Sequence, residues 1–168
     1  AMLPLDEVER LARKAAGAVR TAGMALSPCI IPEKGAANFS LPEGKMEIGM
    51  GIHGEPGIKL EDLASADSIV DQMVAPILED LPYGRGDEVS VLVNGLGATP
   101  REELYIVYRR VAELLKQAGI SVYNCYVGEY ATSMDMAGMS ISLLKLDDEL
   151  RRYVAMPFCT PFMTQNQL

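Results

Sequence analysis

Residues 88–105 read EVSVLVNGLGATPREELY, and this stretch carries the signals that decide the fold class. Val89, Val91 and Val93 recur with the period of two that marks a strand. Gly95-Leu96-Gly97 leads out of it into Thr99-Pro100-Arg101-Glu102, which combines an N-cap threonine, a proline at the first helical position and a glutamate at the capping-box position. Leu104, Tyr108, Val111, Leu115 and Ala118 then fall on one helical face, and Gly119 supplies the stop. A further strand is expected at Ile120 to Val127. A strand, a glycine loop, a capped helix and a second strand in succession imply an α/β layer structure.

The same alternation continues outward in both directions. Upstream, Leu5, Val8, Ala12, Ala15, Val19 and Ala22 predict an amphipathic helix from about Pro4 to Ala22, ended by Gly23. Met24 to Ile31 reads as a buried strand stopped by Pro32, and Glu33 to Gly44 as a loop. Met46, Ile48, Met50 and Ile52 alternate against Glu47, Gly49 and Gly51, which predicts a strand over Met46 to Ile52. Helical spacing returns from Ala66 to Leu81, with Ser65 or Asp67 as N-cap and a kink expected at Pro76. Downstream come a strand at Met139 to Leu146, a helical turn near Asp147 to Arg152 and an irregular tail. Two late strands joined only by a loop argue against a purely parallel sheet. The expectation is a single α/β domain with a mixed β-sheet packed by helices.

Composition narrows the function classes. The 168 residues hold 49% apolar and 23% charged side chains, an ordinary globular balance, and 15 basic against 23 acidic residues leave a net charge of −8. Such a charge repels nucleic-acid backbones and anionic membranes, so neither is an expected partner. Three cysteines, Cys29, Cys125 and Cys159, without C-x-x-C spacing fit neither a disulfide framework nor a zinc site, and a reducing cytoplasmic location is expected.

The string Gly49-Met50-Gly51-Ile52-His53-Gly54 matches G-x-G-x-x-G, but nucleotide binding there needs a helix to follow directly. Glu55-Pro56-Gly57 follows instead, and Pro56 disfavours helical geometry at the residue before it. The alternative is that Gly49 and Gly51 clear one strand face for close approach, with His53 projecting at its end. His53, the chain's one histidine, is then either a surface or capping residue or a base, acid or nucleophile. Asn94 to Pro100 reads either as a flexible connection or as a glycine turn offering N–H groups to a ligand. Glu61 with Asp62, Glu102 with Glu103, and Asp147 to Glu149 sit where helix dipoles favour acids. Tyr130 to Asp135 is a hydroxyl-rich connection between strands, and Met24, Met46, Met50, Met73, Met134, Met136 and Met139 are expected in the core.

The runs MEIGMGIHGEPG (Met46 to Gly57), LVNGLGATP (Leu92 to Pro100), EELY (Glu102 to Tyr105) and VGEYATSMDMAGMSISLLKLDDEL (Val127 to Leu150) closely resemble the substrate-binding subunit of dihydroxyacetone kinase. The resemblance spans nearly the whole chain but only the C-terminal half of that subunit, so residues 1–168 are expected to form its C-terminal domain. It implies that His53 holds dihydroxyacetone as a covalent hemiaminal for phosphorylation to dihydroxyacetone phosphate. It further implies that this chain binds no cofactor, and that ADP or ATP with Mg sits on a separate nucleotide-binding kinase subunit. The tail ending at Leu168 shows no linker to such a domain, which favours a phosphoenolpyruvate relay. The family's general base, an aspartate, and a second histidine lie in the N-terminal half of the subunit, so this chain alone is expected to be inactive. The complete subunit is usually a homodimer. Some relatives bind dihydroxyacetone without catalysis and act as co-regulators of transcription, which is the alternative reading.

Overall fold

The computed structural model describes residues 3–52 and 55–166. Helix α1 (Leu5–Ala18) passes directly into strand β1 (Val19–Ala25), and Val19 at its C-cap already has extended angles of φ −104° and ψ 141°. The helix therefore ends at Ala18 rather than Ala22. Residues 19–25 pair one by one with β8 (Gly138–Leu146), from Val19 opposite Leu144 to Ala25 opposite Gly138, and this pairing outweighs a weak helical preference. Gly23 is a mid-strand residue, required because the Met50 carbonyl occupies the space a Cβ would need. The expected strand Met24 to Ile31 is split, since the chain resumes pairing only in a small hairpin of β2 (Ile30–Ile31) and β3 (Ala36–Ala37).

The next elements are β4 (Lys45–Ile48), β5 (Lys59–Asp62), α2 (Ala66–Asp80), β6 (Glu88–Gly95), α3 (Arg101–Ala118) and β7 (Ser121–Gly128). Helix α4 (Asp148–Val154) and the hairpin of β9 (Phe158–Cys159) and β10 (Thr164–Gln165) close the chain. Ser65 caps α2, its hydroxyl accepting the Ser68 N–H at 3.3 Å, and the helix runs through Pro76 to Asp80. Glu61 and Asp62, expected just ahead of a helix, lie on β5, where Asp62 meets Lys45 across the strand pair at 2.6 Å. The tail is less irregular than expected. Gln165 is buried there and donates to the Val154 and Met156 carbonyls at 2.8 and 3.0 Å. No helix among the described residues is long and apolar enough to cross a membrane.

Six strands form one sheet in the order β5-β4-β1-β8-β6-β7. β6 and β7 run parallel and the other neighbours antiparallel, so the sheet is mixed, as the late strands required. Val89, Val91, Val93, Ile141 and Leu143 are fully buried in one cluster with Met73 and Val74 of α2 and Val111 and Leu115 of α3. Side chains alternate along a strand, so Thr21, Leu92, Asn94, Ser140, Ser142 and Leu144 project from the opposite face. There α1 and α4 meet only the far end of β8, around Leu144. Among the described residues the rest of that face carries no helix, and it is where the candidate site is built.

Candidate functional site

Strand β4 ends at Ile48, short of Ile52, because Gly49 adopts φ +83° and turns the chain out of the sheet. A left-handed glycine interrupts the alternation that the sequence alone extends. The Gly49 N–H donates to the Gly23 carbonyl at 2.7 Å, which carries Met50 across the open face into a buried cluster with Ala25, Cys29, Leu96 and Met136, against which Ile52 packs. The chain then doubles back. Gly51 donates to the Glu55 carbonyl at 3.3 Å, Gly57 to the Glu47 carboxylate at 2.6 Å and Ile58 to the Ile48 carbonyl at 2.8 Å. The close approach expected over Gly49 and Gly51 is made by the chain itself: Ile58 comes down over Gly49 and the Glu55 side chain over Gly51, and both glycines also line the cavity described below. These glycines allow the loop to close on itself. His53 and Gly54 lie outside the described residues.

The glycine loop after β6 is equally occupied by its own chain. Leu96 and Ala98 donate to the Gly138 and Met136 carbonyls at 3.2 and 3.1 Å, and the Gly97 N–H is bound by the Glu129 carboxylate. Three consecutive N–H groups of this loop are therefore taken by the chain itself, while Asn94 and Leu96 line the cavity described below. Thr99 is not the helix cap. Its hydroxyl donates to the Gly138 carbonyl at 2.7 Å and accepts the Gly138 N–H at 2.9 Å, while Pro100 holds the N-cap position. Burial pushes the Glu129 carboxyl above the usual range, against the pull of the Gly97 N–H and the Arg101 guanidinium. Buried Asn94 accepts the Tyr130 and Ala131 N–H groups, both at 2.9 Å, and donates to the Ala131 carbonyl at 2.8 Å.

That clamp fixes the connection from β7 to β8, where one residue departs from its sequence expectation. Ser133 and Met136 are buried, with the Ser133 N–H bound to the Leu96 carbonyl at 2.7 Å and the Met136 N–H to the Ser133 carbonyl at 3.0 Å. Asp135 accepts the Ile30 N–H at 2.7 Å. Met134 between them has φ +53° and is 55% exposed. It is not core filler, unlike Met24, Met46, Met50, Met73, Met136 and Met139, all of which are buried. Hydrophobicity gave no signal of this; the polar residues around it, which fix the backbone on either side, are the feature that could have.

A cavity of about 560 Å³ lies over the open face and reaches past β1 to Pro76, Ile77 and Asp80 of α2. Thr21, Asn94, Ser140 and Ser142 line its floor, and Gly51, Ile52, Ile58, Leu96 and Ala131 are among its walls. The Thr21 and Ser142 hydroxyls are 2.7 Å apart, and Asn94 reaches the Ser140 hydroxyl at 3.4 Å. The charges at its edge, Arg20 and Asp80, are paired with each other. Hydroxyls and an amide set among apolar walls suit a small uncharged hydroxylated molecule better than an anion. Among the described residues no group of three or more His, Cys, Asp or Glu is placed to hold a metal ion.

Comparison with known proteins gives this architecture a family context. The model of the Dak1 domain matches residues 1–162. The chain is 49% identical over 160 residues to the dihydroxyacetone-binding subunit of a PTS-dependent dihydroxyacetone kinase from Listeria innocua serovar 6a, covering 95% of this chain and 48% of that subunit. Among solved structures it is similar to a dihydroxyacetone kinase operon co-activator, with a TM-score of 0.85 and 34% identity over 92% of this chain and 48% of that one. It is also similar to the dihydroxyacetone kinase of C. freundii in complex with AMP-PNP and Mg2+, with a TM-score of 0.80 and 31% identity over 92% of this chain and 28% of that one. The chain spans about half the length of the curated subunit it matches.

Proposed function

The chain belongs to the Dak1 domain family, and on that premise we propose that residues 1–168 form the substrate-capturing half of a dihydroxyacetone-binding kinase subunit. The observation that carries this reading is the closed loop over the hydroxyl-lined face. Gly51 and Glu55 are bonded across positions 53 and 54 while Gly51 and Ile52 line the cavity. His53 is the nucleophile. Its neutral imidazole nitrogen bonds to the ketone carbon, the carbonyl oxygen gains a proton and the other ring nitrogen releases one, giving a neutral hemiaminal. An alcohol such as glycerol has no carbonyl carbon to attack, so capture selects ketones. Held this way, a terminal hydroxyl is positioned for in-line attack on a phosphoryl group.

The base that takes that hydroxyl's proton comes from the other half of the subunit. The phosphoryl group comes from a magnesium nucleotide on a separate partner, recharged by a phosphoenolpyruvate relay, a reading supported by the description of the Listeria innocua kinase as PTS-dependent. In this reading the chain works in the cytoplasm within a homodimeric subunit. A second reading, a non-catalytic dihydroxyacetone-binding co-regulator of transcription, is favoured by the similarity to the operon co-activator.

The test is a chimera in which these 168 residues replace the matching half of the Listeria innocua subunit. With the nucleotide-bearing partner, a phosphoryl donor and dihydroxyacetone, it should form dihydroxyacetone phosphate, and His53→Ala should abolish both turnover and the adduct seen by intact mass. An adduct without turnover supports the co-regulator reading. Ketone density in a crystal with no bond to the His53 imidazole would exclude the hemiaminal. The 168 residues alone should give no turnover above background.

A further inference from the structure

The loop of residues 49–58 leaves β4 and returns to β5 through a base fastened at three points. Two of the bonds run from backbone to backbone, the Gly49 N–H donating to the Gly23 carbonyl at 2.7 Å and the Ile58 N–H to the Ile48 carbonyl at 2.8 Å. Such bonds need no particular side chain. The third does, because there the Gly57 N–H donates to the Glu47 carboxylate at 2.6 Å. Met46 and Ile48 are buried in the core shared with α2 and α3, so strand alternation sends the Glu47 side chain to the opposite face, the one the loop crosses. Lys45 and Lys59, its neighbours in the strand pair, are engaged by Asp62 and Glu61. Gly57 lies so close that a Cβ there would fall 2.5 Å from the Glu47 Cγ and 2.7 Å from the Ile48 carbonyl oxygen. The two positions fit only as a pair, a carboxylate facing a residue without a side chain.

We infer, on the reading that His53 captures the ketone, that Glu47 is a positioning residue for that capture, acting through the Gly57 N–H to fix the returning limb of the loop. The described bond that joins the two limbs nearer the tip, from Gly51 to the Glu55 carbonyl, is long at 3.3 Å. The bond to Glu47 is short and charge-assisted, which is the stronger kind. Ile58, the residue after Gly57, lines the same cavity as Gly51 and Ile52, so Glu47 fixes a wall of the site together with the limb. Addition of a ring nitrogen to a ketone carbon is reversible and needs a narrow line of approach, so a small displacement of the loop weakens capture before it disturbs the fold.

The chimera with the Listeria innocua half tests this when it carries Glu47→Ala, Glu47→Gln or Gly57→Ala. In Glu47→Ala the dihydroxyacetone concentration that half-saturates the adduct, read by intact mass, and the KM for dihydroxyacetone should both rise roughly tenfold, the effect expected for a lost hydrogen bond to a charged group. Its kcat should stay within about twofold of the parent's, since the ketone once captured is held by its own bond. Glu47→Gln keeps an acceptor oxygen in the same place and should return both values close to the parent's. Gly57→Ala, whose Cβ lifts the limb off Glu47, should match Glu47→Ala, and the double variant should be no worse than either single one. In the 168-residue chain the Gly57 amide proton should resonate far downfield in the parent and at an ordinary position in Glu47→Ala. A fall in kcat and melting midpoint with KM unchanged would make Glu47 a structural part only and overturns the assignment. Parent values of adduct and KM in Glu47→Ala once the Gly57 signal has moved overturn it too, as do additive losses in the double variant or a Glu47→Gln as impaired as Glu47→Ala. A parent chimera that turns over without an adduct fails the hemiaminal alone, and the KM of Glu47→Ala then still decides the role of Glu47.

Discussion

Thr99 and Gly97 show how much of the candidate site depends on single side chains. The Thr99 hydroxyl both gives to and receives from the Gly138 backbone, so Thr99→Val leaves a backbone N–H and a carbonyl without their partner and should cost about 2 kcal/mol in urea denaturation. An intact stability would show that the clasp is not made in solution. At Gly97, φ +127° coincides with the Met134 carbonyl lying where a Cβ would go. Gly97→Ala should destabilise by about 3 kcal/mol through combined strain and overlap, read from the same denaturation midpoints. The sequence marks both positions as special but misassigns the reason. A threonine before proline reads as a cap, and only the fold reveals that Gly138 of a distant strand takes its hydroxyl first. Glu129 has its own pH signature. Its carboxyl is raised by burial, so its contribution to stability is complete below the ordinary glutamate range of about 4.3 and is lost as pH rises through its folded value. Glu129→Gln should remove that loss, and urea midpoints measured from pH 4 to 8 would then vary less than in the parent. An unchanged pH profile would contradict the buried carboxylate.

Helix α1 is weakly tied to the rest. None of its residues is buried, and Leu5 is 82% exposed. Beside an apolar seam of Val8, Leu11, Ala12 and Ala15 facing Leu144 and Leu150, it is attached by ion pairs, with Arg10 and Lys14 both bound to Glu149 and Lys14 also to Asp147. These cations hold the Glu149 carboxyl down at about 2. A depressed carboxylate stabilises above the unfolded range and ceases to do so as pH falls through its folded value. Amide exchange in α1 should therefore accelerate selectively between about pH 4.3 and 2, ahead of the amides of β6 and β8. Simultaneous acceleration of all three elements would show that the ion pairs are not what holds the helix. Gly17 lies in the last turn, and a Cβ there would meet nothing within 4 Å, so Gly17→Ala should raise stability by about 0.5–1 kcal/mol, seen as a higher melting midpoint. The start of α1 was legible from its apolar spacing, whereas its end was not. Val19 to Ala22 continue the helical pattern, and only β8, more than a hundred residues away in the chain, claims them for the sheet. The strand expected through Ile52 failed for the opposite reason, a local one: Gly49 turns left-handed inside an otherwise regular alternation.

At the scale of the molecule, the mixed sheet was readable because its parts are punctuated by glycines and prolines, and because β7 and β8 are separated by too short a connection for a parallel crossover. The cavity was not readable, since Thr21, Asn94, Ser140 and Ser142 come from three strands whose order no local pattern encodes. That same order governs how the chain assembles in time. Within this domain the strand made first, β1, sits between β4 and β8, and β8 begins only at Gly138. While a ribosome is still making the chain, the centre of the sheet has a vacancy that nothing upstream can fill. The apolar stripe of α1 and the bare edge of β1 must wait for nearly all of this domain to emerge, and pairing over such separations is slow. The nascent domain is therefore a natural client for chaperones that shelter exposed apolar segments, and slowing translation between β1 and Gly138 should prolong that dependence, whereas slowing it after β8 has emerged should not.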